Sequence, residues 1–270
     1  MTKFLSFLFL AASTSTVAAA TAIPHRAIYD MTLLRASEGS ALSSVTGRLA
    51  FEVQGSVCEG WTVNYRMVNQ YRPMEGEVKL SDTQSSSFES GDGLEMHVSQ
   101  KDYIDGKLTS ESRIKVNRPA PGREAEGVIE KQPEERFPVA AEALFPMQHQ
   151  LRMMDLAEAG VARDSSLIYD GSDEKQSYRA ITFIGKRKEP GSLARDRANP
   201  EAKALMGMPS WPVSMSYYKQ SDDAEAEPSY QVSFDLYQNG VATGLVLDYG
   251  NFVLGGDLAK LEMLPEQACQ

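Results

Sequence analysis

The chain has 270 residues, 42% of them hydrophobic and 24% charged. That is enough apolar material to bury a core, and it excludes a wholly disordered chain. A formal charge of −10, with no long run of Lys or Arg, excludes a phosphate-backbone binder, so no nucleic acid partner is expected. Two cysteines are too few for a disulfide-dense mini-fold or a four-cysteine zinc site.

The first segment reads as an address. Lys3 precedes an apolar run, Phe4 to Ala12, and small residues follow through Ala22. This run is too short to span about 30 Å of hydrocarbon, which takes about 20 residues, and it fits a cleaved signal peptide over residues 1–22. Cleavage is expected after Ala22, with Ala20 as second choice. No later stretch could cross a membrane as a helix, so residues 23–270 are expected to form one exported domain with no transmembrane segment. Export bears on Cys58 and Cys269: in an oxidising compartment two lone cysteines pair more often than not. Two buried thiols or a redox pair are the alternatives, although no C-x-x-C spacing supports the last.

From there the chain reads as strand after strand. Gly47–Val53 leads through a turn holding Cys58 into Trp61–Val68, where Trp61, Val63, Tyr65 and Met67 alternate with more polar residues. Glu77–Glu89 and Leu94–Asp102 continue the pattern. Asp105–Gly106 marks a hairpin into Lys107–Val116. Prolines 119, 121, 133 and 138 then predict a long loop from Asn117 to Pro138. Phe145–Ala159 breaks the β pattern. Met147, Leu151 and Met154 stand at helical spacing, Pro146 fits a first turn and Gly160 a C-terminal cap. Further strands are expected at Ser165–Tyr169, Gln176–Arg187, Val213–Gln220, Tyr230–Gln238 and Gly244–Asp248. A short helix is expected at Glu201–Met206, and Gly255–Gly256 is expected to divide two last strands, Phe252–Leu254 and Leu258–Leu264. At least eleven strands and mostly short turns predict an all-β fold built as a continuous antiparallel meander, with one or two short helices.

Catalytic signatures are missing from the sequence. His25, His97 and His149 do not fall in a paired metal-ligand spacing, so no metal site and no cofactor are expected. There is no G-x-S-x-G, P-loop or G-x-G-x-x-G. The acidic pairs Asp222–Asp223 and Glu134–Glu135 read as solvated loop positions. Asp170, Asp173 and Glu174 lack the glycine and terminal glutamate of an EF-hand.

Several phrases together resemble the envelope integrity protein B (EipB) family of alphaproteobacterial periplasmic proteins. They are HRAIYDMTL (His25–Leu33), the Gly47 strand running into VCEGW (Val57–Trp61), SSSFESGDG (Ser85–Gly93), LFPMQH (Leu144–His149), SWPVSMSYY (Ser210–Tyr218) and YQNGVATGLVLDYGNFVLGGDL (Tyr237–Leu258). Phe88 stands where that family often has tryptophan. The resemblance implies a single β-spiral, or half-open barrel, domain like those of LolA, LolB and RseB. It also implies a Cys58–Cys269 disulfide, a periplasmic location, a role in cell-envelope integrity and no enzymatic activity. On that reading the partner is a lipid, a lipoprotein or another periplasmic protein. A concave apolar surface between sheet and helix is the expected site, with Trp61, Tyr65, Met147, Met153 and Met154 as its candidate lining. Methionine suits variable apolar ligands, while ordinary core packing is the plainer role for the same side chains. A secreted hydrolase with a site assembled across strands is the alternative function, and an adaptor with a filled core is a third.

Overall fold

The structure, a computed structural model, describes residues 21–220, 226–266 and 269. The leader expected over residues 1–22 therefore lies outside the described residues except for Thr21 and Ala22, and so do Asp222 and Asp223. The first half of the chain forms β1 (His25–Ala36), β2 (Leu42–Ser56), β3 (Gly60–Pro73), β4 (Lys79–Glu89), β5 (Glu95–Ile104), β6 (Lys107–Asn117), β7 (Ala125–Ile129) and β8 (Glu135–Val139). One substantial helix follows, α1 (Pro146–Glu158). The second half forms β9 (Arg163–Ile168), β10 (Tyr178–Ile184), β11 (Ser210–Lys219), β12 (Tyr230–Tyr237), β13 (Ala242–Asp248) and β14 (Phe252–Met263).

All fourteen strands share one antiparallel sheet, ordered β8-β7-β6-β5-β4-β3-β2-β1-β14-β13-β12-β11-β10-β9. The fold is thus all-β and open, as expected, but it is not a meander in chain order. It is two meanders joined back to back, because β1 pairs with β14, from His25 opposite Met263 to Ala36 opposite Phe252. The middle of the chain therefore supplies both sheet edges. These edges curl towards each other. After β8, the Leu144 N–H donates to Leu167 O at 2.9 Å, and the Tyr169 N–H donates to Leu144 O at 3.0 Å. The Arg118 guanidinium locks this segment, donating to Ala143 O at 2.7 Å while its carbon stands 5.2 Å over the Phe145 ring. Phe145 and Tyr169 are then buried in one cluster with Met96, Ile114 and Phe137, so residues from opposite ends of the sheet share a core.

Inside this curl lies α1. Its Met147, Met153 and Met154 pack with Val53 and Trp61 from one side of the sheet and with Trp211, Val213 and Met215 from the other. The helix begins at Pro146, whose missing N–H costs nothing there. At its other end Gly160 has φ 71°, and the Val161 N–H reaches back to Leu156 O at 2.9 Å, a Schellman-type stop.

Three expectations are corrected. The segment 117–138 is not one long loop, since it contains β7 and β8. Ala125, Gly127 and Ile129 alternate on β7, and the Phe137 ring occupies the space where a Gly127 side chain would stand. Pro138 is tolerated because β8 is an edge strand. The pair Gly255–Gly256 does not divide two strands, because β14 runs through it; a Cβ at Gly255 would meet the Leu34 side chain at 2.9 Å, and one at Gly256 would meet Met31 Sδ at 3.0 Å. These glycines allow close packing rather than a turn. Finally, the short helix expected at Glu201–Met206 is a 3-10 turn, Pro200–Leu205, preceded by a four-residue helix, Ala194–Arg197.

Cys58, in the β2–β3 turn, is bonded to Cys269, with the two Cα atoms 5.6 Å apart. Since β14 ends beside the start of β1, this bond ties residue 269 to the turn of the next hairpin, β2–β3.

Candidate functional site

Strand alternation determines what the concave face presents. On β1 the inward set is His25, Ala27, Tyr29 and Met31; on β2 it includes Leu49, Phe51 and Val53, which pair in register with Tyr29, Ala27 and His25. Where this face approaches α1, the packing leaves a cavity of ≈ 280 Å³. One wall is Tyr29, Leu49 and Phe51. The opposite wall comes from β11 to β13, through Met215, Tyr217, Val232, Leu245 and Leu247. His149 and Met153 of α1 close it.

Few polar groups reach this cavity, and most are engaged. The Tyr29 hydroxyl donates to Ala242 O at 2.8 Å, and burial drives its pKa well above the ordinary value. Gln150 donates to Gly240 O at 3.1 Å. The Tyr217 and Tyr230 rings stack at 4.3 Å, and burial raises both phenols. Asp170 Oδ1 accepts from both the Ser172 N–H at 2.9 Å and the Ser172 hydroxyl at 2.7 Å, yet burial raises its carboxyl. Burial lowers the His25 imidazole, against a partial opposing effect of its contact with Ile23 O. It also pushes His149 down to about 4, so this imidazole is neutral; its Nε2 has no hydrogen-bond partner among the described residues.

At the N-terminal end of α1 stands Glu89, a residue the sequence did not single out. Its side chain is 1% exposed, and each carboxylate oxygen accepts from the Met147 N–H at 3.0 Å. The first turn of α1 contains no acid of its own, so β4 supplies negative charge to the helix dipole through space. Burial nonetheless pushes the Glu89 carboxyl up to about 7, the backbone hydrogen bonds opposing this only in part. Farther along α1, Arg152 grips Asp164 of β9 through Nη2 at 2.7 Å and holds that carboxyl below the usual range.

The five residues expected to line the site separate in the structure. Met153 is on the cavity wall. Trp61, Met147 and Met154 stand in the packed cluster around α1, where Met153 also contributes. Tyr65 is half-buried beyond the cavity, on the β3 side of Phe51, with its hydroxyl directed to Met67 Sδ at 3.4 Å. Most of the cavity wall was not anticipated, because alternation identifies inward positions but not which of them face an unfilled space. Among the described residues no group of three or more His, Cys, Asp or Glu is arranged to hold a metal ion, and no helix is long and apolar enough to cross a membrane.

The sequence of residues 16–265 matches the EipB-like family model. The chain belongs to the EipB-like family. The cell envelope integrity protein EipB of Brucella abortus is 32% identical over 259 residues, covering 94% of this chain and 88% of that protein. A crystal structure of a β-barrel-like protein of a domain of unknown function, also from Brucella abortus, superposes with a TM-score of 0.83 at 30% identity. That superposition covers 92% of this chain and all of the other. Membership in the EipB-like family thus agrees with the curled antiparallel sheet reached independently from the strand pairing.

Proposed function

We propose that this protein is a non-catalytic periplasmic component that supports cell-envelope integrity by holding the apolar part of a lipid-like molecule between α1 and the concave face. The observation that carries this reading is the ≈ 280 Å³ cavity, apolar on both walls and placed where the two halves of the sheet face each other. Its size is just below the ≈ 300–1,000 Å³ usual for small-molecule sites, which suits one small apolar group or a single slender chain. The name of the Brucella relative supports the envelope role. The short apolar leader and the disulfide support export of the chain beyond the leader as one domain.

The test is binding of the uncharged dye N-phenyl-1-naphthylamine, followed by native mass spectrometry of protein isolated from the periplasm. The folded protein is expected to enhance dye fluorescence and to carry a co-purified amphiphile. Leu247→Gln, on the half-buried wall, is expected to weaken dye binding at least about tenfold, a loss of about 1.4 kcal/mol, while the chain remains folded. A folded wild-type protein that binds no dye would remove the cavity reading and leave the adaptor.

A further inference from the structure

The cavity is only one end of a longer concave surface, and the remainder differs in chemistry. Reading the cross-strand register outward from Phe51, its neighbours in turn are Tyr65 on β3, Ser85 on β4, Gln100 on β5 and Ser112 on β6. The adjacent row runs from Leu49 through Met67 and Thr83 to Asp102. Strand spacing of about 4.8 Å puts β6 about 19 Å from β2 along this face. The inner surface therefore passes from an apolar wall, through one tyrosine, into a half-buried strip of hydroxyl, amide and carboxylate groups.

This strip contains no cation. On β3 to β6, Arg66, Lys101, Arg113 and Lys115 alternate to the convex face, where they pair with Asp82, Glu111 and Glu130. Lys79 and Lys107 stand at the hairpin tips, and Lys79 is 4.0 Å from Asp105. The cavity lining likewise lacks Lys and Arg, and its one formally acidic group is Asp170. On the strip, Asp102 accepts from the Thr83 hydroxyl at 2.7 Å and from the Gln100 amide nitrogen at 3.1 Å. Those donors are directed to Asp102, which leaves the oxygens of Thr83 and Gln100 as acceptors, while the hydroxyls of Ser85 and Ser112 can donate or accept.

We infer that the bound amphiphile carries a head group without negative charge and rich in hydrogen-bond donors, such as a polyol or an amide. This rests on the cavity reading above and adds the selection of the head. A carboxylate or phosphate head would meet the Asp102 carboxylate and the Thr83 and Gln100 oxygens with no cation on the strip to compensate, in a half-buried setting where repulsion is poorly screened and two serine hydroxyls do not offset a full charge. A hydroxyl or amide N–H meets acceptors that accommodate it.

The experiment compares two ligands with the same twelve-carbon chain, 1-lauroylglycerol and laurate, as competitors of N-phenyl-1-naphthylamine at neutral pH. The uncharged ligand is expected to displace the dye at about tenfold lower concentration, the ratio given by about 1.4 kcal/mol. Asp102→Asn is expected to narrow that ratio while leaving dye affinity unchanged. Ser85→Lys, which places a cation on the strip, is expected to reverse the preference towards laurate. If the dye binds but both ligands compete equally, or laurate competes better with the wild-type protein, the head-group inference is overturned and the cavity reading stands. If the folded protein binds no dye, both are overturned.

Discussion

Two buried titratable groups at the N-terminal turns of α1 oppose each other, and replacing either one exposes the other. Glu89 titrates at about 7 in the folded protein against 4.5 as a free side chain, because burial disfavours its charged form. Between those pH values the folded chain holds a proton that the unfolded chain has released. Its contribution is therefore full below pH 4.5 and lost as pH rises to about 7, a change of about 3 kcal/mol. His149 titrates at about 4 against 6.5, again through burial. Here the unfolded chain holds the extra proton, so the contribution is full above pH 6.5 and lost as pH falls to about 4, again by about 3 kcal/mol. The two slopes have opposite signs and overlapping windows, and they nearly cancel. Urea denaturation of the wild-type protein between about pH 4.5 and about pH 6.5 should show little net dependence from this pair. Glu89→Gln should become steadily more stable with rising pH relative to wild type, the difference between the two growing by about 3 kcal/mol by about pH 7.5. His149→Gln should shift the opposite way, and the double variant should again track the wild-type slope. An amide in place of the Glu89 carboxylate offers the Met147 N–H one acceptor oxygen rather than two, but this cost is independent of pH and does not enter the slope. Variant profiles that run parallel to the wild-type profile would refute the reasoning.

Labelling of the denatured, unreduced protein should find no free thiol. Cys58→Ser should lower the melting temperature by several degrees, since closing the 211-residue loop is worth up to about 5 kcal/mol on the loop-entropy model. Gly47→Ala should destabilise by about 3 kcal/mol in chemical denaturation, because the added Cβ would overlap Asn69 Oδ1 and the backbone oxygen of Val68 on the paired strand; an unchanged midpoint would show that β2 and β3 can separate there. N-terminal sequencing of exported protein should find Thr21 first, because Ala22 is 1% exposed within the α1 cluster and cleavage after Ala20 retains it; a mature chain starting at Ile23 would show that this contact is dispensable.

Much of the sheet was legible because its strands are half-buried and alternate. Trp61, Tyr65 and Met67 give the period of β3 directly, and Asp105 with Gly106 mark a turn whose φ values, 49° and 77°, only such residues adopt readily. The strands that escaped notice have identifiable causes. On β7 and β8, alternation lasts only five residues and is interrupted by proline and charge, a pattern that edge strands tolerate and loops share. On β14, two consecutive glycines have the composition of a turn, and only the packing of Leu34 and Met31 from the neighbouring strand reveals that small residues are required there. The pairing of β1 with β14 is a long-range choice that local sequence does not encode. The cysteines carried the one long-range signal, since a bond across 211 residues requires the chain's end to lie near its beginning.

The site was less legible because no continuous segment forms it. Its wall takes Leu49 and Phe51 from β2, Met153 from α1, Met215 from β11 and Leu245 from β13, and only the strand register brings them together. The methionine-rich helix drew attention because it is compact in sequence, yet all three of its candidate methionines serve the packing that fixes α1 in the curl, and of the three Met153 alone also lines the cavity. That packing has a consequence for function. With Met147 and Met154 packed in one cluster with Trp61 and Trp211, and Glu89 holding the first turn, α1 forms a fixed inner wall of the cavity proposed to hold a ligand. On that proposal selectivity falls to the face that α1 leaves uncovered, where the inward side of β5 passes from Val98 to Gln100 and Asp102, that of β6 passes from Ile114 to Ser112, and β4 presents Thr83, Ser85 and Ser87. A sheet built solely to enclose a core would gain by keeping those rows apolar. Their polarity is the feature that stability alone does not require, and it is the reason the inferred recognition of a head group is assigned to the strands rather than to the helix.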